Sequence, residues 1–222
     1  MQGPDAPART GIRMFSLQTI FGKGDKFYGL LEASAGAARE SARALGELLD
    51  TAPGQRSLEK FKQARQREKA LAAQISQELV VTFVTALERE DIEKLSNVLY
   101  QIPKVVEKFA ERFTLASARI GEVDFGPRAA MLERACAVLE EMVAQLRKGM
   151  DLERTKALND RLQAIESEAD VMILDLYREA WTHETDAMRY LITKDLFELL
   201  EKGIDRCRDA GNVVYHVVLK NA

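Results

Sequence analysis

From Asp25 to Asp50 the chain reads "DKFYGLLEASAGAARESARALGELLD", where Leu31, Ala35, Ala38, Ala42, Leu45 and Leu49 follow one another at alternating steps of four and three residues. That spacing lays the apolar side chains along one side of a 3.6-residue helix and cannot gather them on one face of a strand. The period returns along the whole chain, and alternation by twos is missing throughout. The sequence therefore predicts an all-α fold. Five prolines in 222 residues, with a composition rich in Ala, Leu, Glu, Lys and Arg, agree with it.

The breakers divide the pattern into about six long helices. The opening "MQGPDAPARTGIR" has two prolines, two glycines and no apolar period, and residues 1–13 read as a disordered lead: either a stretch upstream of a start at Met14 or a cloning remnant. "TAPGQ" ends the first helix, 25–50. The second runs from Ser57 to Ala86 and the third from Glu88 to Arg119, with a kink expected at Pro103. After the Gly121–Gly126 break, Pro127 suits the first turn of a fourth helix reaching Lys148. The fifth spans Asp151–Thr182 and the sixth starts at Lys194. The valines of "LVVTFV" and "NVVYHVV" fall within helical periods and read as core, and Tyr177 and Trp181 read as filling core or interface gaps.

Three helices, a break and three helices suggest an internal repeat of residues 14–120 and 121–222, together one compact domain. The helix openings "EREDIEKL" and "ITKDLFELL" match when Asp91 is aligned with Asp195, which also pairs Leu95 with Leu199. The same offset sets Asn97, Gln101 and Val105 against Glu201, Asp205 and Asp209.

Those last three acids stand at four-residue steps on the sixth helix, and Glu166 and Asp170 repeat the step on the fifth. Four of the five directly follow a core-stripe residue: Ile165, Ala169, Leu200 and Ile204. They therefore border the buried stripe. Counting back and forward from the turn between the two helices brings Asp170 level with Asp205 and Glu166 level with Asp209. Carboxylates grouped beside a core must protonate, pair with Arg or Lys, or bind a cation. A divalent or ferric ion suits oxygen ligands at this density: Mg²⁺, Mn²⁺, Ca²⁺ or iron, with Zn²⁺ also open. Salt bridges to Lys202, Arg206 and Arg208, or a solvated face, answer the same pattern.

Other chemistries find little support. A net charge of −3 with interspersed signs offers no basic field for nucleic acid. Cys136 and Cys207 lack metal-type spacing and point to a reducing cytoplasm. No uncharged run is long enough for a membrane span. His183 and His216 have Ala180 and Val213 three residues earlier, so the Glu-x-x-His signature of di-iron bundles is missing. His183 suits a turn or cap. "FGKGDKF" lacks the phosphate-loop spacing, and no nucleophile–base set can be assembled. The chain reads as a non-enzyme.

Four stretches, "DKFYGLLE", "TFVTALEREDIEKL", "IESEADVMILDL" and "LFELLEKGIDRCRDAGNVVYHVVLKNA", resemble the PhoU-like proteins. Their resemblance is to the small relatives often encoded beside Pit-type phosphate permeases. It implies two tandem three-helix bundles and a regulatory or accessory role in phosphate transport, with a transporter or sensor at the membrane as partner. It also implies metal clusters held by paired Glu/Asp-x-x-x-Asp motifs, one set per half. Glu166, Asp170, Glu201, Asp205 and Asp209 carry that motif in the second half. In the first half Arg65 and Lys69 stand in the places of two acids, and Asn97, Gln101 and Val105 replace three more. One metal site is therefore expected, or none if the second half has also turned to salt bridges. Arg65 and Lys69 are expected to pair with Glu68 or Glu107, or to be solvated. A metal-independent scaffold or adaptor, a homo-oligomer joined by apolar faces, and a metal-storage or hydrolytic bundle are the other readings.

Overall fold

The computed structural model describes residues 17–121, 123–183 and 185–222; the expected lead at residues 1–13 lies outside them. Six α-helices are present among the described residues: α1 (Leu17–Leu49), α2 (Glu59–Val81), α3 (Arg89–Ile120), α4 (Gly126–Gln145), α5 (Leu152–His183) and α6 (Ala187–Asn221). A single 3-10 turn at Pro53–Gln55 follows α1, and these residues contain no strand.

Local chemistry sets the ends. Helix α2 stops five residues short of the expected Ala86 because the Arg89 guanidinium takes its last carbonyls, bonding Thr82 O at 2.6 Å and also Leu79 O. Helix α6 begins seven residues earlier than expected because Asp186 caps it, accepting from the amides of Met188 (3.0 Å) and Arg189 (3.2 Å). Helix α1 likewise starts at Leu17 rather than Asp25, running through Gly22 and Gly24. Gly121 closes α3 at φ +67°, a conformation side chains resist. Pro103 sits inside α3 on its buried face.

Helices α1, α2 and α3 pack on one another, as do α4, α5 and α6. The two trios then meet through α1 on α4 and α3 on α6. These four form the middle of the molecule and α2 and α5 lie outside them, each on two helices of its own half. Pairing is antiparallel: Arg39 reaches Glu140 and Arg147 reaches Glu32 across α1 and α4, while Arg112 meets Asp195 and Lys220 meets Glu88 across α3 and α6. The core runs unbroken through both trios. Its aromatic centre joins Phe109 and Phe113 of α3, Phe125 before α4, and Phe197 of α6, with the Phe125 and Phe197 rings 4.5 Å apart.

Two apolar stretches depart from expectation. Within "LVVTFV" only Leu79 and Thr82 are buried; Val80 is 82% exposed and Phe83 fully so. Trp181 is 77% exposed near the end of α5, although its indole N–H reaches the Tyr190 hydroxyl at 2.9 Å. Both lie at or beyond the end of an outer helix. The valines of "NVVYHVV" are buried as expected. No helix of the described residues is long and apolar enough to cross a membrane.

Candidate functional site: the acidic seam between α5 and α6

Helix α5 lies antiparallel to α6 with Gln163 opposite Asn212 (3.1 Å) and Tyr177 opposite Glu198 (2.7 Å). That register sets Glu166 beside Asp209 and Asp170 beside Asp205, the levels obtained by counting from the turn. Gly211 permits the close approach, since a Cβ there would collide with Leu162 of α5. Glu166, Glu201, Asp205 and Asp209 are half-buried at the border of the core, whereas Asp170 is exposed.

The centre of the seam is Arg208. Its guanidinium donates to Glu166 Oε1 at 2.6 Å and Asp209 Oδ1 at 3.1 Å, and lies 3.4 Å from Asp205 Oδ1. Arg206 supports the edge through Asp209 Oδ2 at 2.7 Å. Burial works against the Arg208 charge, yet Asp205, Glu166 and Asp209 together hold its pKa above the ordinary arginine value. Glu201 receives no such help. Loss of solvent, then the charges of Asp205, Asp170, Glu198 and Glu166, push its pKa up. Asp205 is also raised, first by burial; Arg208 opposes the shift and Asp209 adds to it. Glu201 and Asp205 open onto a groove shared with Tyr177, Glu198, Lys202 and Arg206.

Glu166, Asp205 and Asp209 thus gather around a guanidinium, and Glu201 and Asp170 continue the same seam beyond its reach. Among the described residues no three His, Cys, Asp or Glu side chains stand close enough to share a metal ion.

The first half holds a bond of the same kind with its polarity reversed. Arg65 of α2, which the resemblance sets at the place of an acid, is only 6% exposed and its Nε lies 3.2 Å from Glu107 Oε2 on α3. The same guanidinium donates to the Tyr100 hydroxyl at 2.9 Å and lies 4.4 Å over its ring. Glu107 is thus the partner among the expected alternatives, and Arg65 is not solvated; Lys69 is exposed. Of the other replacements, Asn97 is exposed, Gln101 half-buried and Val105 in the core.

Sequence reasoning missed two features. Cys136 of α4 and Cys207 of α6 bring their sulfurs to 3.5 Å in the core. Glu68 is completely buried, and no hydrogen bond of ordinary geometry reaches either carboxylate oxygen, although Ser34 of α1 faces it. The apolar period gave a signal for Glu68, which lies between Phe61 and Ile75 on the inner stripe of α2.

Six antiparallel helices arranged as two facing trios have the fold of the PhoU-like proteins, and the resemblance read from the sequence holds in the structure. A PhoU-like protein from Shewanella oneidensis MR-1 superposes with a TM-score of 0.74 over 87% of this chain and 99% of its own, at 16% identity. A second PhoU-like structure from that organism gives 0.71 over the same shares. In sequence, the chain is 25% identical over 211 residues to the "Putative pit accessory protein" of Rhizobium meliloti strain 1021, covering 89% of this chain and 94% of that one. It is 24% identical over 151 residues to the UPF0111 protein YkaA of Bacillus subtilis strain 168, or 65% of this chain and 70% of that protein. No family model matches the chain.

Proposed function

We propose that this protein is a non-catalytic, cytoplasmic accessory protein of inorganic phosphate transport, acting by contact with a transporter or sensor at the membrane. The observation that carries the reading is the end-to-end similarity to a protein named for the Pit system, in a chain with the PhoU-like fold. The surface supports a contact role. Val171, Leu174 and Trp181 along α5, with Met188 and Leu191 in the first turns of α6, leave large apolar side chains in water. A protein partner that covered them would remove this apolar surface from water.

The test is co-expression of the tagged chain with a Pit-type permease from the same genome, followed by detergent extraction and measurement of phosphate uptake. Retention of the permease by the chain, with an uptake rate that changes when the chain is deleted, is the expected result. Trp181→Glu should weaken retention while leaving the melting temperature within a few degrees, since surface changes cost roughly 0.5 kcal/mol or less. Unchanged uptake and no retention would leave a helical scaffold as the better reading.

A further inference from the structure

The carboxylates of the seam already have a cation among them. Arg208 leaves α6 beside the buried Cys207, and its planar fork reaches oxygens of Glu166, Asp205 and Asp209 at 2.6, 3.4 and 3.1 Å. Those oxygens are the ones a hard ion would need. An ion approaching them would meet a positive charge within hydrogen-bond distance of its own ligands. An arginine side chain keeps that charge at any pH a folded protein tolerates.

The first half reaches the same end from the opposite helix. Arg65, on the outer helix, faces Glu107 on α3, whereas Arg208, on the inner helix, faces Glu166 on α5. In each half one arginine at the border of the core joins the outer helix to the third helix of its trio. The residues present therefore do not fit the metal clusters that the family resemblance implies.

We infer that arginine has replaced metal in both halves of this chain, Arg65 clamping α2 to α3 and Arg208 clamping α5 to α6. The Glu166, Asp205 and Asp209 carboxylates then take their counter-charge from the polypeptide itself and do not depend on metal supply. This inference goes beyond the transport reading and is independent of it, because its tests involve the isolated protein and no uptake measurement.

The experiment compares the native chain with Arg208→Gln, Arg208→Lys and the double variant Glu166→Gln/Arg208→Gln. Protein purified without chelator is assayed for metals by elemental analysis, then melted with EDTA and with about 1 mM Mn²⁺, a concentration at which specific binding raises Tm by mass action. The native chain should hold far less than one metal ion per molecule and melt at the same temperature in both buffers. Arg208→Gln should melt several degrees lower and regain part of the loss with Mn²⁺, because its carboxylates have lost their counter-charge. The double variant should recover stability without Mn²⁺, a result that packing alone would not produce. Arg208→Lys, which keeps the charge without the fork, should fall between native and Arg208→Gln. A native chain carrying about one metal ion, whose removal by EDTA lowers Tm, overturns the inference. A folded Arg208→Gln that ignores Mn²⁺ does the same. Should that variant fail to fold, the native measurement and Arg208→Lys still decide.

Discussion

Arg65 on α2 and Glu107 on α3 are joined at 3.2 Å at the edge of the core, in the half of the molecule that lacks the acidic motif. Removing the arginine leaves a partly buried carboxylate without its counter-charge and the Tyr100 hydroxyl without its donor. Arg65→Ala is expected to cost about 2–3 kcal/mol, below the 3–5 typical of a fully buried pair, since Glu107 keeps some contact with water. Arg65→Met, which fills the same volume, should cost less when Glu107→Leu accompanies it. Urea denaturation of the three chains gives the comparison.

Glu68 makes stability depend on pH in the direction opposite to an ordinary salt-bridged acid. Burial pushes its pKa from 4.5 up to about 7, with Ser34, Arg65 and Arg67 opposing the shift. The folded chain thus holds this proton more tightly than the unfolded chain. The stabilising effect of the neutral carboxyl is fully present below about pH 4.5 and is lost as pH rises through about 7. At pH 8 the charged form costs about 3 kcal/mol, taking roughly 1.4 kcal/mol per pKa unit. Glu68→Gln should therefore gain about 2–3 kcal/mol at pH 8 and little near pH 4.5. Denaturant midpoints at the two pH values measure it; equal gains at both would contradict the assignment.

The cysteine pair should be chemically silent in the folded protein. The thiol hydrogen bond with Cys136 and complete burial hold the Cys207 thiol well above the ordinary range, and thiolate is the reactive form. Modification by an aromatic disulfide reagent at pH 8 is expected to be at least about a hundredfold slower than in urea, because it must wait for opening of the core. Labelling of native protein at the unfolded rate would exclude the packing described.

Two glycines separate backbone freedom from packing. Gly211→Ala drives a methyl into Leu162 where α5 crosses α6, whereas a Cβ at Gly46 meets nothing within 4 Å. Gly211→Ala should lose about 1–3 kcal/mol by overpacking. Gly46→Ala, inside α1, should gain up to about 1 kcal/mol through helix propensity. Thermal melts of the two single variants test both signs.

Residue spacing revealed most of this fold because each helix carries a long apolar stripe: the period through Leu31, Ala35 and Leu45 locates α1, and counting from the turn brings Glu166 level with Asp209. Helix ends were harder to read. Arg89 stops α2 through a side chain that folds back seven residues, and no local propensity registers that contact. The seam was visible as a row of acids, but spacing could not single out Arg208 from Lys202 and Arg206. The direction of each side chain depends on the angle at which α5 meets α6. Val80 and Val81, read as core and found exposed, show a related limit of spacing: apolar character specifies what a residue would gain by burial, and only the packed arrangement decides which residues are covered.

The pairing of α1 with α4 and of α3 with α6 has a consequence for the half that carries no acidic row. An isolated second trio would present the apolar sides of α4 and α6 to solvent, so the first trio serves as the wall on which the other closes. On α3, Asn97 is exposed and Gln101 half-buried, while Leu95, Leu99, Ile102 and Val106 are committed to the shared interior. Deleting either trio would therefore uncover the interior of the other, whatever chemistry the deleted half carries.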